Sequence, residues 1–288
     1  MERREILFSP GIEPDDSASD EAGLILGRCF AFAGSDLLST VDSTNSPTIP
    51  TWSQLRNWGL TTIRHQYLGV LDNEPCWSVE LEERIELPAG AALTGIRALY
   101  EQVTEVEYAL AGRAIQVIAW ERDHQFCGRC ATPTERVPGE RARRCPVCGL
   151  TSYPRISPAI IVLIERGDRI LLARGHAFVP GRFGIVAGFV EPGESLEEAV
   201  AREVQEEVGI ALADIRYFGS QPWPFPHGIM IGFRAQSLSD DLSIDGNELA
   251  EADWYSVDDL PIIPAKLSIA RRLIDAWASE HGVVIDQP

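Results

Sequence analysis

The sequence predicts an α/β (α+β) chain: an N-terminal mixed domain over residues 1–122, a short cysteine-rich segment over 123–153 and a layered C-terminal domain over 154–288. Three observations predict this. A length of 288 residues suits two domains of roughly 100 to 200 residues with a small module between them. Four of the six cysteines crowd into residues 127–148. Strand-like and helix-like patterns are mixed throughout the residues after Tyr153, which is the mark of helices layered on a sheet.

Composition narrows the class. Hydrophobic residues make up 45%, aromatic 8% and charged 24% of the chain, ordinary values for a globular protein that exclude dominant disorder and fibrous or disulfide-framework architectures. The net charge is −18, from 43 acids and 25 bases, and only residues 121–153 are net positive. A general duplex-DNA binder needs a broad basic face, so phosphate contacts could come only from that middle segment. An acidic chain can still take a phosphorylated substrate when a divalent cation bridges the charges. No export signal is visible, and the longest aliphatic run, Ala159–Ile164, is far short of the roughly 20 residues of a membrane span. The chain reads as cytoplasmic, without a membrane partner.

Taken in order, residues 1–50 read as a loop-rich opening, broken by Asp15–Asp20, by Ser39–Pro47 and by Pro50. Strands come next at Thr61–Val70 and Trp77–Leu81, then a helix at Glu107–Arg122 with Leu110, Ala114, Val117 and Trp120 on one stripe. Ala159–Glu165 and Arg169–Ala173 form a hairpin about Gly167-Asp168. A helix is expected at about 195–208, strands at Ile215–Phe218 and Met230–Ala235, and a last helix after Pro264 that buries Ile269, Leu273, Ile274 and Trp277. No internal repeat is visible.

Residues 123–153 have too few aliphatics to build a core, so something else must hold them. Cys127-Gly-Arg-Cys130 and Cys145-Pro-Val-Cys148 are two CxxC knuckles, and each can wrap one side of a tetrahedral Zn²⁺. Four thiolates close the coordination shell, so this zinc ribbon is expected to be structural. Arg136, Arg141, Arg143 and Arg144 leave open a nucleic-acid-binding role for it. The isolated Cys29 and Cys76 read as small buried hydrophobes.

The decisive segment runs from Gly188 to Ile210. Ser195 and Glu198 make a capping box, Gly209 a C-terminal stop, and Leu196, Ala199, Val200, Val204 and Val208 an apolar stripe. At about 100° per residue, Glu203, Glu206 and Glu207 share one face. Such crowding repels unless cations join it, and hard oxygen ligands suit Mg²⁺ or Mn²⁺. Gly188, Glu194, Arg202, Glu203, Val204, Glu206, Glu207, Gly209 and Ile210 match every defined position of G-x5-E-x7-R-E-U-x-E-E-x-G-U, with U aliphatic, so the chain resembles a Nudix hydrolase. That resemblance implies an α/β/α sandwich that hydrolyses a nucleoside diphosphate linked to another moiety. It implies that Arg202 anchors the loop, on Glu194, and that Glu203 and Glu207 ligate metal, with Glu206 able to share it. Glu206 or Glu207 would also orient the attacking water.

Downstream, Ser220-Gln-Pro-Trp-Pro-Phe-Pro-His-Gly228 interleaves prolines with two rings that could stack on a base or pack in the core. The run resembles the SQPWPFPxS signature of the NADH pyrophosphatase branch of that family, with Gly228 in place of the final serine. The branch also carries an N-terminal domain and a four-cysteine ribbon. Likeness to it implies Glu248 and the Ala187 carbonyl as further metal ligands, and a nucleotide pocket lined by Gln221, Pro222, Trp223, Pro224, Phe225, Pro226, His227, Gly228 and Ala270. Tyr153, Glu140 and Arg97 would be additional substrate contacts. The implied activity is cleavage of NADH or NAD⁺ into AMP and nicotinamide mononucleotide, in a homodimer. The alternatives are removal of NAD caps from RNA 5′ ends and a vestigial zinc-ribbon protein that binds nucleic acid.

Overall fold

The computed structural model describes residues 8–13, 27–41 and 46–287, and the chain forms two compact units, Met1–Arg155 and Ile156–Pro288. The expected loop at Asp15–Asp20 lies outside the described residues, as does most of the one after Val41. Among the described residues no helix is long and apolar enough to cross a membrane.

The first unit is built on a seven-stranded sheet. Its strands are β1 (Phe8–Pro10), β2 (Arg28–Ala33), β3 (Asp36–Val41), β4 (Pro47–Thr48), β5 (Thr62–Leu71), β6 (Glu74–Leu81) and β7 (Ala91–Gly95). The reading of residues 1–50 as loop-rich is corrected here: β2 and β3 pair as a hairpin, and Cys29 to Phe32 are fully buried. A short strand covered on both faces carries no polar alternation, so the pattern that betrays a half-exposed strand was missing. Helix α1 (Trp52–Asn57) sets Leu55 against Cys29, Ala31, Tyr67 and Trp77. Helix α2 (Glu105–Asp123) begins at a Thr104/Glu107 capping box and buries the expected stripe of Leu110, Ala114, Val117 and Trp120. Cys29 and Cys76 are both buried and free.

The cysteine segment adds a three-stranded sheet of β8 (Glu135–Arg136), β9 (Arg143–Arg144) and β10 (Thr151–Ser152). Charge does the work that aliphatics cannot. Buried Glu121 of α2 accepts from Arg143 at 2.6 Å, from Arg136 at 3.1 Å and from Gln66 at 2.8 Å. Arg143 also donates to the hydroxyl and carbonyl of Thr134.

The second unit is a six-stranded sheet between two helices. Its strands are β11 (Ser157–Arg166), β12 (Arg169–Gly175), β13 (Val186–Phe189), β14 (Leu212–Trp223), β15 (Gly228–Ser237) and β16 (Leu249–Ser256). Side chains alternate across β11: Ile160, Val162 and Ile164 meet helix α3 (Leu196–Val208), while Ile161 and Leu163 meet helix α4 (Ile269–Glu280). This is an α/β/α sandwich. Both strands expected at 215–218 and 230–235 are longer than the sequence suggests. Their mutual pairing, which runs from Leu212↔Ser237 to Trp223↔Gly228, extends regular structure into polar and proline-bearing ends.

The two units share a topology, which corrects the reading that the chain contains no repeat. In the first, antiparallel β5–β6 abuts β2 in parallel, and β2–β3 then pairs with β7. In the second, antiparallel β14–β15 abuts β11 in parallel, and β11–β12 then pairs with β16. In each unit the shared order closes with a helix finishing on Ala-Trp-x-x-x-His, with the imidazole Nδ1 2.8 Å (His124) or 2.9 Å (His281) from the tryptophan carbonyl. Backbone order repeats where side chains do not. The six-residue α1 stands where the second unit has the thirteen-residue α3.

Candidate active site

Helix α3 forms where its sequence demands. Ser195 accepts from Glu198 N–H while the Glu198 carboxylate accepts from Ser195 N–H, and Gly209 stops the helix at φ 71°. A side chain at Gly209 would also strike Ser243, 2.7 Å from its first carbon. Ala199, Val200, Val204 and Val208 are fully buried against the sheet. The last turns also carry three carboxylates, with Glu207 buried beside the apolar stripe, and the final turn contains no basic residue. The helix dipole is negative at this end, so carboxylate charge there is unfavourable except where cations offset it.

Each carboxylate has a distinct setting. Glu203 lies against the backbone of β13, so close that a Cβ on Gly188 would fall 1.9 Å from its carboxyl carbon. Only glycine leaves this cradle open. Glu207 is 7% exposed; its burial, then the charges of Glu203, Glu248, Asp245 and Glu206, push its carboxyl up to about 7. Glu206 is exposed. Arg202 ties the group together: it holds Glu194 with two bonds of 2.5 and 2.9 Å, the Phe189 carbonyl at 2.9 Å, Glu203 at 2.9 Å and Glu206 at 3.0 Å. The guanidinium holds the Glu194 carboxyl down at about 2. Arg202 thus engages three carboxylates, where the sequence argued for one.

Segment 243–248 completes the face. Ser243 N–H caps the Val208 carbonyl and Asp245 N–H caps that of Glu207, both at 2.9 Å, which brings Glu248 close enough to act on Glu207 electrostatically. Ala187 sits beside Gly188 in β13, paired with Ile161. The donor set suits a hard divalent cation: several carboxylates, one of them buried and raised toward protonation, another packed on the Gly188 backbone.

The proline-rich run is the end of β14 and the tip of its hairpin with β15. The rings of Trp223 and Phe225 meet edge to face at 5.1 Å, and both remain half-buried. Gln221 is an internal bracket, donating to the Leu267 carbonyl and accepting from Ile269 N–H, each at 2.7 Å. Ala270 is 6% exposed, in the core beneath α4. Neither side chain therefore offers a ligand much. A side chain on Gly228 would bring its first carbon to 3.2 Å from the Trp223 carbonyl oxygen, so a serine fits only if the tip gives slightly.

In the ribbon the sulfurs of Cys127, Cys130, Cys145 and Cys148 all lie within 4.8 Å of one another. Zn–S bonds of about 2.3 Å place tetrahedral sulfurs roughly 3.8 Å apart, so the four fit one Zn²⁺. Among the described residues these four, not the α3 carboxylates, are the set converged tightly enough to hold an ion without rearrangement.

Residues 154–277 match the NUDIX domain, 122–153 the NADH pyrophosphatase zinc ribbon domain, and 26–120 the NADH pyrophosphatase-like rudimentary NUDIX domain. A protein of Pseudomonas fluorescens named NAD-capped RNA hydrolase NudC is 46% identical over 227 residues, which is 79% of this chain and 82% of that one. The chain belongs to the NADH pyrophosphatase branch of the Nudix family. A Stutzerimonas stutzeri protein of the same name is 44% identical over 79% of this chain and 82% of its own. The rudimentary domain accounts for the repeated topology: the first unit keeps the Nudix strand order without the carboxylate helix.

Other residues singled out in this Nudix sequence belong to the first unit. Tyr153 donates to Glu140 at 3.0 Å, and both belong to the first unit with Arg97. The ribbon arginines are not the free basic surface their sequence suggests. Arg143 is 7% exposed on Glu121, Arg136 serves Glu121 and the His65 carbonyl, and Arg141 donates to the carbonyls of Gly11 and Tyr67. Arg144 is exposed and donates to the Thr151 hydroxyl at 3.2 Å. Two residues near the site escaped sequence reasoning. Phe189 is 66% exposed next to Gly188, and its carbonyl accepts from Arg202. Asp245 lies three residues before Glu248, and only the fold brings it to Glu207.

Proposed function

We propose that this chain hydrolyses the pyrophosphate of NADH or NAD⁺, releasing AMP and nicotinamide mononucleotide, with Mg²⁺ or Mn²⁺ held by Glu203, Glu206, Glu207, Glu248 and the Ala187 carbonyl. The observation that carries this reading is the cradle at Gly188 beside buried Glu207. A bound divalent cation would neutralise phosphate charge and lower the pKa of a bound water. Arg202 keeps the loop and Glu203 in place, and Glu206 or Glu207 orients the water that attacks phosphorus as the bridging P–O bond breaks. Trp223, Phe225 and exposed Phe189 offer rings to a base, with Tyr153, Glu140 and Arg97 as further contacts in a cytoplasmic homodimer.

A second reading is favoured by the name of the relatives, NAD-capped RNA hydrolase. The bond cleaved is the same, and the two substrates differ only in the RNA chain attached to the adenosine. The vestigial-protein reading loses support, because the carboxylate set is intact and three of the ribbon arginines serve internal bonds. Purified protein incubated with Mn²⁺ and NADH should release AMP, and kcat/KM for NADH and for NAD-capped RNA, measured side by side, ranks the two substrates. Failure to cleave either one overturns the proposal.

A further inference from the structure

The tip of the β14–β15 hairpin is closed by its ladder and by Phe225 N–H on the Trp223 carbonyl at 2.8 Å, yet several of its residues have no hydrogen to donate. Pro222, Pro224 and Pro226 have no N–H to donate, and Gly228 has no side chain. The neighbouring strand supplies what the tip lacks. Ser157, the first residue of β11, is the register partner of Gly228. Its N–H donates to the His227 carbonyl at 2.9 Å, and its hydroxyl lies 3.1 Å from His227 Nδ1. Strand β11 is also the one against which the carboxylate cradle is built: Ala159 pairs with Phe189 and Ile160 with Gly188. One strand therefore sets the spacing between the Trp223/Phe225 pair and the carboxylate face. The hydroxyl that the signature would place at residue 228 is here found across the ladder.

We infer that Ser157 is a positioning residue for dinucleotide recognition, its hydroxyl fixing His227 and with it the hairpin tip that carries Trp223 and Phe225. The inference rests on the NAD(H) reading only for the identity of the ligand. The backbone bond survives in Ser157→Ala, so that variant removes the hydroxyl contact alone. Loss of one neutral hydrogen bond should raise KM for NADH about two- to tenfold, with kcat and Tm at wild-type values. Hydrogen exchange in the peptide 221–229 should quicken in the same variant without substrate. Ser157→Thr, which keeps the hydroxyl, should retain wild-type KM and exchange. An unchanged KM, a parallel fall of kcat and Tm, or a threonine variant as impaired as the alanine one overturns the inference. If the wild-type protein fails to cleave NADH, the proposed function falls instead, and exchange alone decides: unaltered exchange in Ser157→Ala overturns the role of the hydroxyl.

Discussion

Gly188 and Glu207 show how single residues shape the carboxylate face of this fold. Gly188→Ala would place a methyl group inside the Glu203 carboxylate, and Glu203 must swing out of its cradle. We expect a loss of metal-dependent turnover of about two orders of magnitude or more with Tm nearly unchanged; retained turnover would show that Glu203 is dispensable. Glu207 yields a pH prediction. Its carboxyl is raised from an ordinary 4.5 to about 7, so between these values the folded protein binds a proton that the unfolded chain has lost. Stability from this group is full below pH 4.5 and lost as pH rises through about 7. A cation bound to the ionised carboxylate reverses that cost, whereas at lower pH it must first displace a proton. The rise in Tm on adding Mn²⁺ should therefore be larger at about pH 8 than at about pH 6, and scanning calorimetry at both values checks it. Glu203, Glu206 and Glu207 were legible in the sequence because helical spacing fixes their common face. Asp245 and the internal bonds of Gln221 were not, because they arise from contacts between segments far apart in the chain.

At the scale of elements, the ribbon shows why charge in a sequence is not charge on a surface. Four arginines in a short stretch read as a phosphate-binding patch, yet a buried glutamate 15 and 22 positions upstream consumes two of them. The ribbon has little apolar mass, and the Glu121 network substitutes for a core. Arg143→Ala should destabilise the first unit by about 3 kcal/mol, since it strips a buried carboxylate of its shortest partner. Cys127→Ser should lower zinc content and Tm together, because ligation energy in this segment is folding energy. Differential scanning fluorimetry with elemental analysis reads both, and an Arg143→Ala protein as stable as wild type would contradict the network's role. Helices α2 and α4 were readable from their apolar stripes and α3 from its caps and stripe, which are local signals. The β2–β3 hairpin was hidden because strands buried on both faces lose the alternation that reveals them.

For the whole molecule, the two units repeat one strand order while only the second has the carboxylate helix, a repeat that the sequence conceals because topology tolerates nearly complete replacement of side chains. A net charge of −18, with Arg141 and Arg143 occupied internally and exposed Arg136 paired with Glu121, leaves little surface for a polyanion. Each phosphate contacted on a single strand contributes about −0.7 to the slope of log affinity against log salt. We expect a shallow slope for NAD-capped RNA, from one or two contacts, that Arg144→Ala reduces; a steep slope in a salt series would place the basic surface elsewhere. The central claim is that the carboxylate face of α3 drives cleavage of a dinucleotide pyrophosphate through divalent cations. It is tested most directly by AMP release from NADH as a function of added Mn²⁺, in wild-type protein and in Glu207→Gln. The account predicts saturable activation of the wild type, abolition by excess EDTA, and a loss of several orders of magnitude in the variant with its Tm maintained. Full activity in EDTA, or a variant within about tenfold of wild type, would contradict it.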